Sequence, residues 1–140
     1  MKAYLTRRYW FSASHRLHNA SLSAEENRRL YGKCDNPYGH GHNYALEVTV
    51  SGRIDPRSGM VCERGELDEA VAREVLARFD HENLNTTVTF AERAPSSEVL
   101  AVEIFNLLRR SFRSAHLEKV RLEETLNNAF EYAGGNQFRQ

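Results

Sequence analysis

Residues 3–14, AYLTRRYWFSAS, are rich in aromatic and β-branched types and read as a strand. Residues 18–42 change character. They carry polar and turn residues, with one short helix expected in SAEENRRLY, where Ser23 is positioned to cap and Glu26 follows three residues on. At 43–53, NYALEVTVSGR, Tyr44, Leu46, Val48 and Val50 alternate with Ala45, Glu47, Thr49 and Ser51, the period of a half-buried strand. DPRSG at 55–59 is a turn. The period then becomes helical. Leu67, Ala70, Val71, Val75 and Phe79 share one helical face, and Leu100, Ile104, Leu107, Leu108 and Phe112 share another. Pro95, Ser96 and Ser97 mark the start of that second helix. EKVRLEET and NAFEYA read as two last strands turning near Asn127-Asn128. The predicted order is β-β-α-α-β-β, an α+β layer of four antiparallel strands with both helices on one face.

Such a sheet has two open edges, which proteins rarely leave unprotected. Closing several sheets into a barrel across subunits removes them, so an oligomer is expected; charged edges or a bulge would also serve.

The 140 residues suit one domain, 1–140, with one core. The apolar share is 41% and the charged share 27%, a globular balance. Nineteen basic residues match nineteen acidic ones, which argues against nucleic acid as a partner but allows a local basic pocket for a small anion. No apolar run is long enough to span a membrane, and MKAYLTRRYWFSASHRLH has no continuous apolar stretch of the secretory kind. Cys34 and Cys62 are therefore expected as thiols in a cytoplasmic protein rather than as a disulfide.

The densest chemistry lies at 32–44, GKCDNPYGHGHNY. In extended backbone, side chains two apart point the same way, so His40 and His42 can converge on one ion, with Gly39 and Gly41 letting the chain fold closely around it. Histidines in loops are also common without a metal. A catalytic zinc takes three protein ligands and leaves a position for substrate. His15, at the end of the first strand and beside the strand after His42, is the natural third ligand. His18 is expected in a solvent-facing loop and His116 on the surface. Cys34, between Lys33 and Asp35, is either a small packing residue or a reachable thiol. Beside a dication or a protonated histidine its pKa falls, making it a base or nucleophile. Cys62 is read as packing. Asp80-His81 is a polar helix end or a carboxylate-oriented imidazole. Glu124 is either a solvated glutamate or a strand-end carboxylate able to accept two parallel hydrogen bonds from a heterocycle.

FSASHRL, GKCDNPYGHGHNY, GRIDPRSGMV, FDHENLN and EETLNN, in this order, resemble the 6-pyruvoyl-tetrahydropterin synthase family over about residues 9–132. The resemblance implies the tunnelling fold (T-fold), with trimers closing a β-barrel and two trimers stacking into a hexamer. It implies zinc on His15, His40 and His42, Cys34 as general base, Asp80 and His81 completing a triad, and Glu124 anchoring the pterin. Ser96-Ser97 stands where relatives often have Thr-Thr beside the pterin, and the hydroxyls are kept. After GMV the chain departs from the family at Cys62-Glu63-Arg64. The implied activity is a lyase of tetrahydrobiopterin-type pterin biosynthesis that takes 7,8-dihydroneopterin triphosphate and expels triphosphate, with Arg16 and Lys33 placed by charge for the phosphates. A sister activity, 6-carboxytetrahydropterin synthase of queuosine biosynthesis, releases acetaldehyde as well. Here five residues, DNPYG, separate Cys34 from His40, a longer gap than is usual in the carboxy type, so the spacing resembles the pyruvoyl type. A zinc- or pterin-binding protein without turnover is the remaining reading.

Overall fold

Two 14-residue strands form the backbone of the fold, β1 (Lys2–His15) and β2 (His40–Arg53). They pair antiparallel from Lys2↔Arg53 to His15↔His40. β2 begins at His40, three residues before the alternating pattern suggests, because the histidine segment joins the same ladder. Between them lie α1 (Ala24–Tyr31) and a 3-10 turn (Gly32–Asp35). After β2 come α2 (Arg64–Val71), a π-helical turn (Ala72–Leu76) and α3 (Ala77–Phe79), then β3 (Glu82–Asn83) and a 3-10 turn (Leu84–Thr86). α4 (Ser97–Ser111), β4 (His116–Thr125) and β5 (Asn128–Tyr132) complete the order. The computed structural model describes residues 1–87, 90 and 94–135.

The sheet order is β3-β1-β2-β4-β5, so the sheet has five strands rather than the expected four. The additional strand is the two-residue β3, parallel to β1 through Ala13↔Glu82 and Ser14↔Asn83. Two residues carry no readable periodicity. Their pairing follows from a tertiary contact, the His81 N–H donating to the Ser12 carbonyl at 2.6 Å. The last hairpin turns at Leu126-Asn127, and Asn128 already belongs to β5.

Alternation decides which face is dry. Phe11, Ala13, Tyr44, Leu46, Val48, Val50, Val120 and Leu122 are buried in one cluster with Leu67, Val71, Val75 and Phe79 from the first helical stretch and Leu100, Ile104 and Leu108 from α4. The helices thus cover one face, as the periods predict. Arg7 and Tyr9 reach across this layer: the Arg7 guanidinium donates to both oxygens of Asp68 at 2.8 and 3.0 Å, and the Tyr9 hydroxyl donates at 2.6 Å. The opposite face carries charge, with Arg8 and Arg121 both beside Glu47 at 3.4 and 3.2 Å. Cys62 is buried in the core, as its reading as packing requires.

Local signals hold where they were strong. Ser23 and Glu26 form the capping box of α1. Asn27, fully buried, binds the backbone of Asn19 and Ser23 and so folds the 19–23 loop over the helix start.

Candidate active site

His15 and His40 are direct cross-strand partners, and His42 stands opposite Ala13, so all three rings emerge from the helix-covered face at one end of the sheet. Their centroids lie 4.6 to 5.3 Å apart. The i, i+2 argument for His40 and His42 therefore holds. Only one of the two flanking glycines is demanded by the backbone. Gly39 has φ +71°, and a Cβ there would sit 3.0 Å from the His15 carbonyl oxygen; at Gly41 a Cβ would meet nothing closer than 3.8 Å.

His15 is 1% exposed, and its Nδ1 lies 2.9 Å from the Pro95 carbonyl oxygen. That acceptor requires the proton on Nδ1 and leaves Nε2 with a lone pair facing the site, the arrangement of a metal-ligating histidine. The His42 Nε2 lies 3.1 Å from the His15 Nε2. Two ligands of a tetrahedral zinc, each roughly 2.0–2.1 Å from the ion, stand roughly 3.3 Å apart, so this spacing fits a shared cation. Burial pushes both His15 and His42 below their ordinary pKa, which keeps them neutral and able to ligate. His40 Nε2 instead meets the Cys34 sulfur at 3.2 Å. The potential ligand atoms fall into two overlapping triples, His15-Cys34-His40 and His15-His42-Glu124, joined at His15. A nitrogen- and sulfur-rich set of this kind suits a borderline-soft divalent metal.

Cys34 comes from the 3-10 turn and is partly exposed. Burial and the Glu124 carboxylate push its thiol above the ordinary value. A cation held among the histidines would oppose both effects.

Glu124 arrives through a bulge. The β4–β5 ladder passes from Glu123↔Ala129 to Thr125↔Asn128 and skips it. Its side chain sits in line with Leu122 on the core side. There one oxygen lies 3.1 Å from His42 Nε2, and the other accepts from the Ser97 hydroxyl at 2.6 Å. The two serines before α4 divide their work: Ser96 is the N-cap and accepts from the Val99 N–H at 3.2 Å, while Ser97, 1% exposed, faces Glu124. Strand alternation marks Tyr44 only as a core position. Its hydroxyl is buried beside Ser97 with no hydrogen bond of good geometry among the described residues.

Asp80 and His81 pair at 3.1 Å, and Asp80 also accepts from the Ser12 N–H at 2.9 Å. The pair is thus fixed to the outer edge of β1. His81 has φ +63° and its side chain is 82% exposed. Among the described residues neither contacts Cys34; His81 lines a groove with Ser12, Ser14, His42 and Asn43. His116 is on the surface, as expected. His18 lies in a loop and its side chain is 31% exposed, but it is not a free surface residue. Its Nδ1 lies 2.6 Å from an oxygen of Asp35, which is 8% exposed. Arg16 braces the same residue, donating from Nε to the Asp35 carbonyl at 3.0 Å. No local signal in the sequence joins positions 18 and 35; folding of the loop onto the 3-10 turn does. Lys33 lines a cavity of about 510 Å³ shared with Arg16, His18, Arg28, Asp35 and His40.

The model of the 6-pyruvoyl tetrahydropterin synthase family matches residues 4–135. The chain belongs to this family. A 6-pyruvoyl tetrahydrobiopterin synthase of Drosophila melanogaster is 46% identical over 134 residues, 94% of this chain and 80% of that protein. The solved Caenorhabditis elegans 6-pyruvoyl tetrahydropterin synthase superimposes with a TM-score of 0.90 at 39% identity, covering 96% of this chain and 97% of that one. A putative 6-carboxy-5,6,7,8-tetrahydropterin synthase of Archaeoglobus fulgidus is more distant, 32% identical over 106 residues, 76% of this chain and 84% of that protein. The α+β reading and the T-fold assignment stand, with the fifth strand added.

Proposed function

We propose that this chain is a zinc-dependent carbon–oxygen lyase that converts 7,8-dihydroneopterin triphosphate to 6-pyruvoyl-tetrahydropterin and releases triphosphate. The observation that carries the reading is the cluster in which the Cys34 sulfur, three histidine rings and Glu124 share one end of the sheet. Greater similarity to pyruvoyl-type relatives than to the archaeal carboxy-type relative supports the product, as does the five-residue gap after Cys34.

In this reading His15, His40 and His42 would hold the zinc, with Cys34 and Glu124 each within reach of two of these histidines. Bound there, the ion supplies Lewis acidity to the substrate's side-chain hydroxyls. Glu124 accepts hydrogen bonds from the pterin ring and orients it, with Ser97 fixing the carboxylate plane and Ser96 fixing the helix start behind it. Cys34 takes and returns protons along the side chain. Arg16 and Lys33 attract the phosphates. Asp80 orients His81 as the partner acid, and because both face outward at the β1 edge they serve a Cys34 of a neighbouring copy. That fits a homo-hexamer of two trimers with sites between chains. Glu124 and Cys34 need no such sharing, since one chain brings both to the same cluster.

The whole chain is taken as one domain, supported by its single contiguous core cluster. The proposed setting is cytoplasmic, in keeping with the two free thiols, and the proposed partner is a small-molecule substrate rather than nucleic acid or membrane. No helix among the described residues is long and apolar enough to cross a membrane.

Incubation of the zinc-loaded protein with dihydroneopterin triphosphate, followed by mass analysis, tests the reading. The expected products are 6-pyruvoyl-tetrahydropterin and triphosphate with little acetaldehyde. Stoichiometric acetaldehyde would move the chain to the carboxy type. Tight binding without turnover would reduce it to a binding protein.

A further inference from the structure

The cavity behind His40 is built for a large anion. Arg16, Arg28 and Lys33 bring three fixed cations to about 510 Å³, against one lining carboxylate, Asp35. Asp35 is already committed, 2.6 Å from His18 Nδ1 and 3.3 Å from Arg16 Nη2. Its charge is therefore compensated before any ligand arrives. Arg28 and Lys33, by contrast, have no ion-pair partner among the described residues, although both line the cavity. Arg28 is held there by α1, whose start is fixed by its capping box and by buried Asn27. With Nδ1 held by a carboxylate that is itself 8% exposed, the His18 ring has a set orientation and Nε2 remains as its free nitrogen. Protonated on both nitrogens, a ring oriented in this way presents its Nε2–H as a preorganised donor. His40 lines the same cavity and also touches Cys34, so the cavity opens directly from the reaction centre.

We propose that this cavity is a polyphosphate cradle in which Arg28 and His18 are direct ligands of the anion and Asp35 is the positioning residue that holds His18. The proposal rests on the reading of the substrate given above and adds residues to its phosphate end. Guanidinium and imidazole N–H groups match phosphoryl oxygens at short, charge-assisted distances. Arg28 and Lys33 both line the cavity that His40 shares, so a triphosphate held there meets both cations.

The test is calorimetry on the zinc-loaded full chain with two probes, inorganic triphosphate and unphosphorylated 7,8-dihydroneopterin. Arg28→Gln and His18→Asn should each weaken triphosphate binding by roughly ten-fold or more, the worth of one charge-assisted hydrogen bond, while dihydroneopterin affinity stays within about two-fold. Asp35→Asn should weaken triphosphate selectively too; a purely structural Asp35 would lower both affinities together. The slope of triphosphate affinity against salt should become shallower in Arg28→Gln, because one fewer cation is neutralised. Unchanged triphosphate affinity in both Arg28→Gln and His18→Asn would overturn the cradle and leave the pterin reading intact. Triphosphate binding that responds to these variants, in a protein that fails to bind dihydroneopterin, would support the cradle and overturn the pterin reading.

Discussion

Replacing Ser97 by alanine probes how the carboxylate of Glu124 is aimed. The hydroxyl is 1% exposed and donates to Glu124 at 2.6 Å, and no other side chain among the described residues donates to that oxygen. A hydrogen bond to a charged group is worth about 1.5–3 kcal/mol. Glu124 keeps its other oxygen against His42 at 3.1 Å, so the carboxylate stays in the site but loses the contact that sets its plane. Accepting two parallel hydrogen bonds from a pterin requires that plane, so the loss falls on substrate binding. Ser97→Ala should raise KM by about ten- to a hundred-fold with kcat nearly constant, the signature of binding lost equally from ground and transition states. Ser97→Thr, which keeps the hydroxyl, should restore most of it. The lost side chain is small and Ser96 remains as the helix cap, so the far-UV spectrum should be unchanged. Steady-state kinetics with dihydroneopterin triphosphate, alongside direct binding of dihydroneopterin, measures the split. A fall in kcat with unchanged KM would refute the anchoring argument and place Ser97 in the chemistry. Unchanged kinetics would detach Ser97 from the site.

Three further outcomes are expected. Cys34→Ala should lower turnover by roughly two to four powers of ten while leaving dihydroneopterin affinity almost unchanged; normal turnover by stopped assay would remove Cys34 as the base. His42→Ala should lose metal and activity together with the fold retained, and full metal by elemental analysis would exclude His42 as a ligand. Asp68→Asn should flatten the acid limb of stability. The Arg7 guanidinium and the Tyr9 hydroxyl hold the Asp68 carboxyl below its ordinary value. The stability this contributes is complete above the unfolded carboxylate pKa of about 3.9 and is lost as pH falls through the folded value. Urea midpoints at pH 6 and pH 3 measure it; equal acid slopes for parent and variant would show that the contact is idle.

The sequence by itself determined the periodic and the local. The alternation at 44–50, the helical faces at 67–79 and 100–112, the capping box of α1 and the N-cap of α4 all depend on neighbours within a turn or two, so spacing displays them. The pairing of His40 with His42 was legible for the same reason, since strand geometry alone puts i and i+2 on one side. Tertiary structure decided the rest. β3 exists because Ser12 offers its carbonyl to His81, not because two residues show a pattern. Glu124 turns from one strand-end glutamate among several into the partner of Ser97 because the packing of α4 against β4 brings the Ser97 hydroxyl to its carboxylate. His18 becomes a paired, oriented ring because the Leu17 N–H donates to the Cys34 carbonyl and brings the chain alongside Asp35, 17 residues away from His18. The direction of the Cys34 shift also depended on burial and on Glu124, neither visible at position 34. Periodicity reports which face is dry; it carries no information about which distant polar groups the dry face brings together, because that depends on strand register and loop closure across tens of residues.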